Sequence, residues 1–197
     1  MQTLSNFHDF ILCIISTLEA RDSYTSHHSS RVAEMTEKIC DLLNLPLDEK
    51  EVYHIAAHLH DVGKIGIRDS VLLKEGKLSQ EEWEIMKSHA IQGYNILKNV
   101  KSFEEVAKIV RSHHERFDGK GYPYGLKGQA IPLSGRIMAI ADVYDALISN
   151  RVYRKAMSQE ETCKIIREGK GTQFDPLIIE AFKNVKEKFY QIARQVQ

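Results

Sequence analysis

The 197-residue chain balances 27 Lys and Arg against 27 Asp and Glu, which excludes a broad electrostatic attraction to DNA, RNA or an acidic membrane and leaves any anionic ligand to a local patch. The length suits one domain with a continuous core and no need of staples. Cys13, Cys40 and Cys163 are odd in number and lack CxxC spacing, which fits core fillers in a reduced, cytoplasmic compartment, and the apolar run Phe10 to Leu18 is too short to span a bilayer.

Leu4, Phe7, Phe10, Ile11, Ile14, Ile15 and Leu18 recur at three- and four-residue spacing and predict a helix over about 4–20. Its broad apolar face can pack onto the rest of the chain, pair with a second copy or continue an upstream helix, and the first is the simplest. Val32, Met35, Ile39, Leu42 and Leu43 predict a second helix, and further ones fit about 48–61, 79–98, 102–115, 132–148, 158–169 and 175–194. Asp48, Ser79, Ser102, Ser158 and Asp175 serve as N-caps, with Pro176 at a first helical position. The fold class is therefore all-α, a helical bundle in which an N-terminal helix (1–20) and the remainder (21–197) form one globular unit.

Two stretches break the pattern, Gly63 to Gly76 and Arg116 to Pro132. The second carries Gly119, Gly121, Gly125 and Gly128 with Pro123 and Pro132, yet interleaves Phe117, Tyr122 and Tyr124 with charges. It reads as a binding loop on a helical scaffold. Residues 111 to 155 hold eight Lys or Arg against four acids, the local basic patch that the neutral whole lacks.

His60-Asp61 and His113-His114 stand with His28, His89 and Asp142 as candidate metal ligands. Imidazole nitrogen mixed with carboxylate oxygen calls for a transition metal, where an all-oxygen set would suit Mg or Ca. Both pairs fall near helix ends, where neighbouring side chains can converge. Spacing alone admits rivals: His54 and His58 share a helical face with Asp61, and His27 adjoins His28.

The runs YTSHHSSRVAE, HLHDVGKIGI, KLSQEEWEIMKSHAIQGYNIL, HHERFDGKGYP, GRIMAIADVYDAL and GTQFDP resemble the HD-GYP domain, a bacterial branch of the HD-domain phosphohydrolases, from about Glu19 to Phe182. The resemblance implies one metal held by His28, His60, Asp61 and Asp142 and a second by Asp61, His89, His113 and His114, with Asp61 bridging. It gives His54 and His58 no ligand role and prefers His28 to His27. Members with three metals carry a glutamate four residues before the first ligand histidine. Tyr24 stands there in this chain, which implies two divalent ions, Fe or Mn by family precedent.

Such a pair can activate a shared hydroxide and neutralise a phosphodiester under attack. Lys64, in HDVGK, would set an ammonium beside the phosphate, and Asp61 and Lys64 are thus the candidate catalytic residues. Asp22 and Asp145 lie near ligand motifs, and Asp145 shares a helical face with Asp142, a position suited to orienting an imidazole. Tyr122, in the intact Gly121-Tyr122-Pro123, offers a face for a nucleobase or a packed support for the turn, and Arg151 and Arg154 offer forks for guanine. The family commonly has Pro at the position of Val152.

By resemblance the substrate is cyclic di-GMP, opened to pGpG with a further cut to GMP left open. The alternatives are a phosphohydrolase for another cyclic dinucleotide, a nucleotidase, or a catalytically silent module that binds a nucleotide or a protein. Neither a nucleic-acid polymer nor membrane insertion is expected. HD-GYP domains usually follow a sensory or receiver domain, so an upstream domain or a homodimer is the partner to consider.

Overall fold

The apolar periodicity closes into ten α-helices among the described residues, which in this computed structural model are 2–21, 27–150 and 154–195. In chain order they are α1 (Gln2–Arg21), α2 (His28–Leu42), α3 (Leu47–Leu59), α4 (Asp69–Leu72), α5 (Gln80–Lys87), α6 (His89–Leu97), α7 (Glu104–Ser112), α8 (Leu133–Ile148), α9 (Gln159–Glu168) and α10 (Pro176–Arg194). No strand occurs among the described residues, and isolated bridges such as Asp118 with Lys127 are the nearest approach to one. The all-α expectation holds. No described helix is long and apolar enough to cross a membrane.

Local chemistry sets several boundaries. Ser79 opens α5 and Ser158 opens α9 as capping boxes, each hydroxyl accepting from the backbone N–H three residues on while Glu82 or Glu161 reaches back. Asp175 accepts from the Leu177 N–H at 2.7 Å with Pro176 at the first helical position of α10. Two expected caps fall elsewhere: Pro46 precedes α3, so Asp48 lies inside its first turn, and Ser102 sits in a 3₁₀ turn with Phe103 capping α7.

The helix expected over 79–98 is instead two. At Ser88 the hydroxyl donates to the Ile85 carbonyl at 2.6 Å and accepts from the Gln92 amide at 2.8 Å. The two halves also have different surroundings: α5 buries no residue, whereas α6 buries His89, Ala90, Gly93 and Leu97 against its neighbours. The joint falls between the solvated half and the packed half.

The core lies where α2 packs against α3, α8 and α10. The α8 residues Ile137, Met138, Ile140, Ala141 and Tyr144 are completely buried. Tyr144 meets Phe182 and Phe189 of α10 with ring centroids 5.7 and 5.2 Å away. Helix α1 packs on α3 and on the 62–66 turn through the buried Ile11 and Ile15. Burial of those two side chains contributes about 3–6 kcal/mol. Arg21 closes the far end of α1 by donating to the carbonyls of Lys64, Ile65 and Ile67 and to Asp69. Cys40 and Cys163 are buried as expected, but Cys13 is exposed, because it lies on the outward side of α1.

Candidate metal centre

Helix ends bring the candidate ligands together. His28 is the first residue of α2 and His89 the first of α6, while His60-Asp61 follows α3, His113-His114 follows α7, and Asp142 projects from within α8. His60 and His113 keep helical backbone angles at the C-terminal ends of α3 and α7, so each pair presents two adjacent side chains from a helix end that faces the site. Two close approaches fix the geometry. A side chain at Gly63 would stand 1.9 Å from the His89 carbonyl, so the turn after Asp61 lies directly on the α6 backbone. One at Gly135 would stand 2.6 Å from Ser112 Oγ, which seats α8 against the end of α7 and carries Asp142 toward His113.

The residues form two clusters whose ligand atoms lie within 4.8 Å of one another: His28, His60 and Asp142 in one, Asp61, His89, His113 and His114 in the other. Asp61 faces both, with Oδ2 3.3 Å from His60 Nε2 and Oδ1 3.4 Å from His89 Nε2. His27 is exposed with a left-handed backbone and joins neither cluster. His54 and His58 group with His8 and not with Asp61.

The tautomers decide whether a cation fits. His60, His89 and His113 each direct Nδ1 at the carbonyl three residues earlier, Ala57, Met86 and Val110, at 2.7, 2.7 and 2.5 Å. A carbonyl only accepts, so Nδ1 holds the proton and Nε2 carries the lone pair. The Nε2 atoms of His89 and His113 then face each other at 3.4 Å with no proton between them, and His60 Nε2 is buried with no hydrogen-bond partner. Carboxylate oxygens complete this ring of acceptors. Such a set of converging lone pairs repels itself until a cation enters, and its nitrogen and oxygen donors suit a transition metal.

His28 is oriented differently. Its Nδ1 lies 2.6 Å from Asp145 Oδ2 and its Nε2 3.4 Å from Asp142 Oδ1. Burial lowers its pKa, but the hydrogen bonds and charges of Asp142 and Asp145 outweigh that and raise it to about 9. Asp145 also accepts from Arg31 Nε at 2.6 Å and Nη2 at 2.9 Å, so its carboxylate is fully engaged. Burial pushes His114 down to about 3 and His89 and His113 also downward, reinforced by His89 and His60 around His114, by His114, His60 and His89 around His113, and by Lys64 and His60 around His89. Burial alone would raise the Asp61 carboxyl, yet Lys64, His60 and His89 hold it well below the usual range. The Lys64 ammonium lies 2.7 Å from Asp61 Oδ2.

Beside the second cluster opens a cleft of about 350 Å³ whose wall includes Trp83, Lys87, His114, Arg116, Tyr122 and Asp142. The loop that bounds it is held by Glu115, a buried carboxylate that accepts from the backbone N–H of Tyr124 at 2.8 Å and of Leu126 at 2.9 Å. Gly121 is required there, since a side chain would stand 2.3 Å from the Arg116 nitrogen. Arg111 stacks between Tyr94 and Tyr124, 4.5 and 4.8 Å from their ring centroids, and ties the loop to α6. Tyr122 lies against His114 with centroids 4.7 Å apart at 32°, so one face of the phenol backs that imidazole.

A profile of the HD domain matches residues 13–178. The chain belongs to the HD-domain family. The intact His113-His114-Glu115 and Gly121-Tyr122-Pro123 segments place it in the HD-GYP branch. It is 46% identical over 198 residues to a cyclic di-GMP phosphodiesterase of Vibrio cholerae, a match covering 93% of this chain and 40% of that protein. It is 40% identical over 186 residues to the 3'3'-cGAMP-specific phosphodiesterase 2 of the same organism, covering 93% of this chain and 36% of that protein. The chain thus spans less than half the length of these two relatives. The crystal structure of a cyclic GMP-AMP-specific phosphodiesterase of V. cholerae superposes with a TM-score of 0.74 at 21% identity, over 95% of this chain and 50% of that one, and shows the shared fold.

In this HD domain the remaining sequence candidates are dispersed. Arg154 donates to the Ala146 carbonyl at the end of α8 and does not line the cleft. Arg151, Asp22, Tyr24 and Val152 lie outside the described residues. Conversely, Trp83 and Lys87 of α5 reach the cleft without having been singled out: the Trp83 ring meets Tyr122 edge-on at 6.3 Å and the Lys87 ammonium stands 5.9 Å over the Tyr122 ring. The available signal was composition, since Trp83 is the single tryptophan of the chain and is 41% exposed.

Proposed function

We propose that this HD domain is a metal-dependent phosphodiesterase that hydrolyses cyclic di-GMP to pGpG, with GMP as the product of any second cut. The observation that carries the reading is the orientation of the histidines: the protons of His60, His89 and His113 are tied to backbone carbonyls, and their free nitrogens converge with Asp61 between two clusters. The 46% identity to a cyclic di-GMP phosphodiesterase supports the substrate. The 40% identity to a 3'3'-cGAMP-specific enzyme makes the mixed dinucleotide the second reading. Removing a bacterial messenger is a cytoplasmic task, and α1 with the rest of the chain is read as one catalytic unit that an upstream sensory domain or a second copy can join.

Two divalent ions, Fe or Mn, fit His28, His60, Asp61 and Asp142 on one side and Asp61, His89, His113 and His114 on the other, where they would supply a nucleophile at neutral pH and neutralise phosphate oxygens. The chain's own groups do the rest. Asp145 holds His28 in place, and Lys64 balances the Asp61 carboxylate, from which its ammonium would reach a phosphate held at the ions. Lys120, with Lys87 and Arg116 from their ion pairs with Glu84 and Asp118, lines the cleft where the second phosphate would lie. Trp83 offers an exposed aromatic face for a guanine, while Tyr122 backs the ligand set.

The test is anaerobic incubation of Fe- or Mn-loaded protein with cyclic di-GMP and, separately, the mixed guanine-adenine dinucleotide, followed by product separation and metal counting. Linear pGpG with two metals per chain is the expected result. Preferential cleavage of the mixed dinucleotide would move the assignment to that substrate, and intact dinucleotides after hours with loaded protein would overturn the enzyme reading in favour of a binding module.

A further inference from the structure

A third group of imidazoles lies outside the centre described above. His8 of α1 meets His54 and His58 of α3 with ring centroids 5.6 and 5.4 Å away, and the latter two stand 4.7 Å apart at consecutive turns of one helix. One nitrogen from each of the three lies within 4.8 Å of the others, the same closeness that unites the two clusters around Asp61. His54 Nε2 and His58 Nε2 are 3.1 Å apart. Two nitrogens bound to one tetrahedral zinc at 2.0–2.1 Å stand about 3.3 Å apart, so this pair is already close to two vertices of such a site.

Two further observations separate the group from ordinary packed histidines. Among the described residues the His58 imidazole has a single hydrogen-bond partner, His54 Nε2, and its buried Nδ1 has none, so only one shared proton stands where an ion bound by both Nε2 atoms would sit. Glu37 of α2 places Oε2 3.9 Å from His54 Nδ1, beyond hydrogen-bond reach, and adds a negative charge beside the cluster that favours a cation there.

We propose that His8, His54 and His58 form a separate binding site for a zinc-class divalent ion that clamps α1 to α3. Three neutral nitrogen donors with no thiolate or bridging carboxylate suit zinc and leave a fourth position to water. The site joins α1 to the helix that ends in His60-Asp61. It therefore ties the N-terminal helix to the platform of the main centre without sharing a ligand with it.

The experiment compares the full chain with His8→Gln and His54→Gln, each equilibrated with excess Zn²⁺, desalted and analysed for zinc per chain, with amide hydrogen exchange of α1 measured in parallel. Both variants should hold one zinc fewer than the parent chain, and Zn²⁺ should slow exchange across residues 8–21 only in the parent. Equal zinc content in all three proteins would overturn the proposal. So would loss of all zinc in either variant, since the imidazoles would then be supporting the main centre and not holding an ion of their own. Should His54→Gln fail to fold, His8→Gln decides alone, because His8 is only partly buried and lies on the outer helix.

Discussion

The carboxylate of Asp145 accepts the Nδ1 proton of His28 at 2.6 Å, across 117 residues of sequence and with both groups buried. This contact aims His28 Nε2 at Asp142, so it bears on the candidate metal site through another side chain. Asp145→Asn keeps the volume but removes the charge that holds His28 and receives Arg31. Metal affinity of the His28, His60 and Asp142 cluster should fall by about 10–100-fold. Titration with a competing chelator checks this, and unchanged affinity would return Asp145 to a purely structural role with Arg31.

Asp61 faces both clusters, whereas Asp142 belongs to one. Asp61→Ala should therefore strip both metals and lower turnover by more than about 10²-fold, while Asp142→Ala should lose one metal and keep the other. Metal analysis of the two purified variants is the check. An Asp61→Ala protein with two metals and undiminished hydrolysis would remove the bridging assignment.

The reach of the sequence reading follows from how local each determinant is. Helix periodicity and the caps at Ser79, Ser158 and Asp175 depend on neighbours in the chain, and they appear where the pattern places them. Spacing alone left His54, His58 and His27 as rivals, the family resemblance selected the seven candidates, and the structure gathers those seven into two clusters. The outward face of Cys13, the break at Ser88 and the approach of Trp83 to Tyr122 arise only when α1 and α5 settle on their neighbours. Spacing did pair His54 with His58, but it could not supply the third partner, His8, which lies 46 positions before His54 in the chain and comes to it only by helix packing.

Trp83 and Lys87 line the cleft from a helix that buries nothing, so they can be altered without disturbing the core. Loss of one stacked base is worth about 1–3 kcal/mol, roughly a 5- to 150-fold change. Trp83→Ala should raise KM for cyclic di-GMP within that range and leave metal content unchanged, and Trp83→Phe should recover most of the loss. A KM unaffected by Trp83→Ala would move the guanine to another wall of the cleft.

Glu115 uses both carboxylate oxygens to hold the backbone of Tyr124 and Leu126, so Glu115→Gln can satisfy only one of the two N–H groups. Leaving a buried donor unmatched costs about 1–3 kcal/mol. The loop should then loosen around Tyr122, seen as faster proteolysis between 116 and 132 and a lower Tm, with a smaller effect on metal content than any ligand substitution.

The three thiols give a prediction with a definite sign. Burial pushes the Cys40 thiol up to about 12 and, together with Glu187, pushes Cys163 up against the opposing pull of Lys186 and Arg167. A raised thiol pKa means fewer thiolates at a given pH, and the thiolate is the nucleophile. At pH 8 the Cys40 thiol is therefore almost wholly un-ionised, and the side chain is also completely inaccessible. Cys13 is exposed on α1. Iodoacetamide at pH 8 should thus label the native chain once, at Cys13, and label all three cysteines in denaturant, with mass spectrometry reading the sites. Equal labelling of Cys40 and Cys13 in the native protein would mean that α2 opens on the labelling timescale, and the burial argument would fail with it.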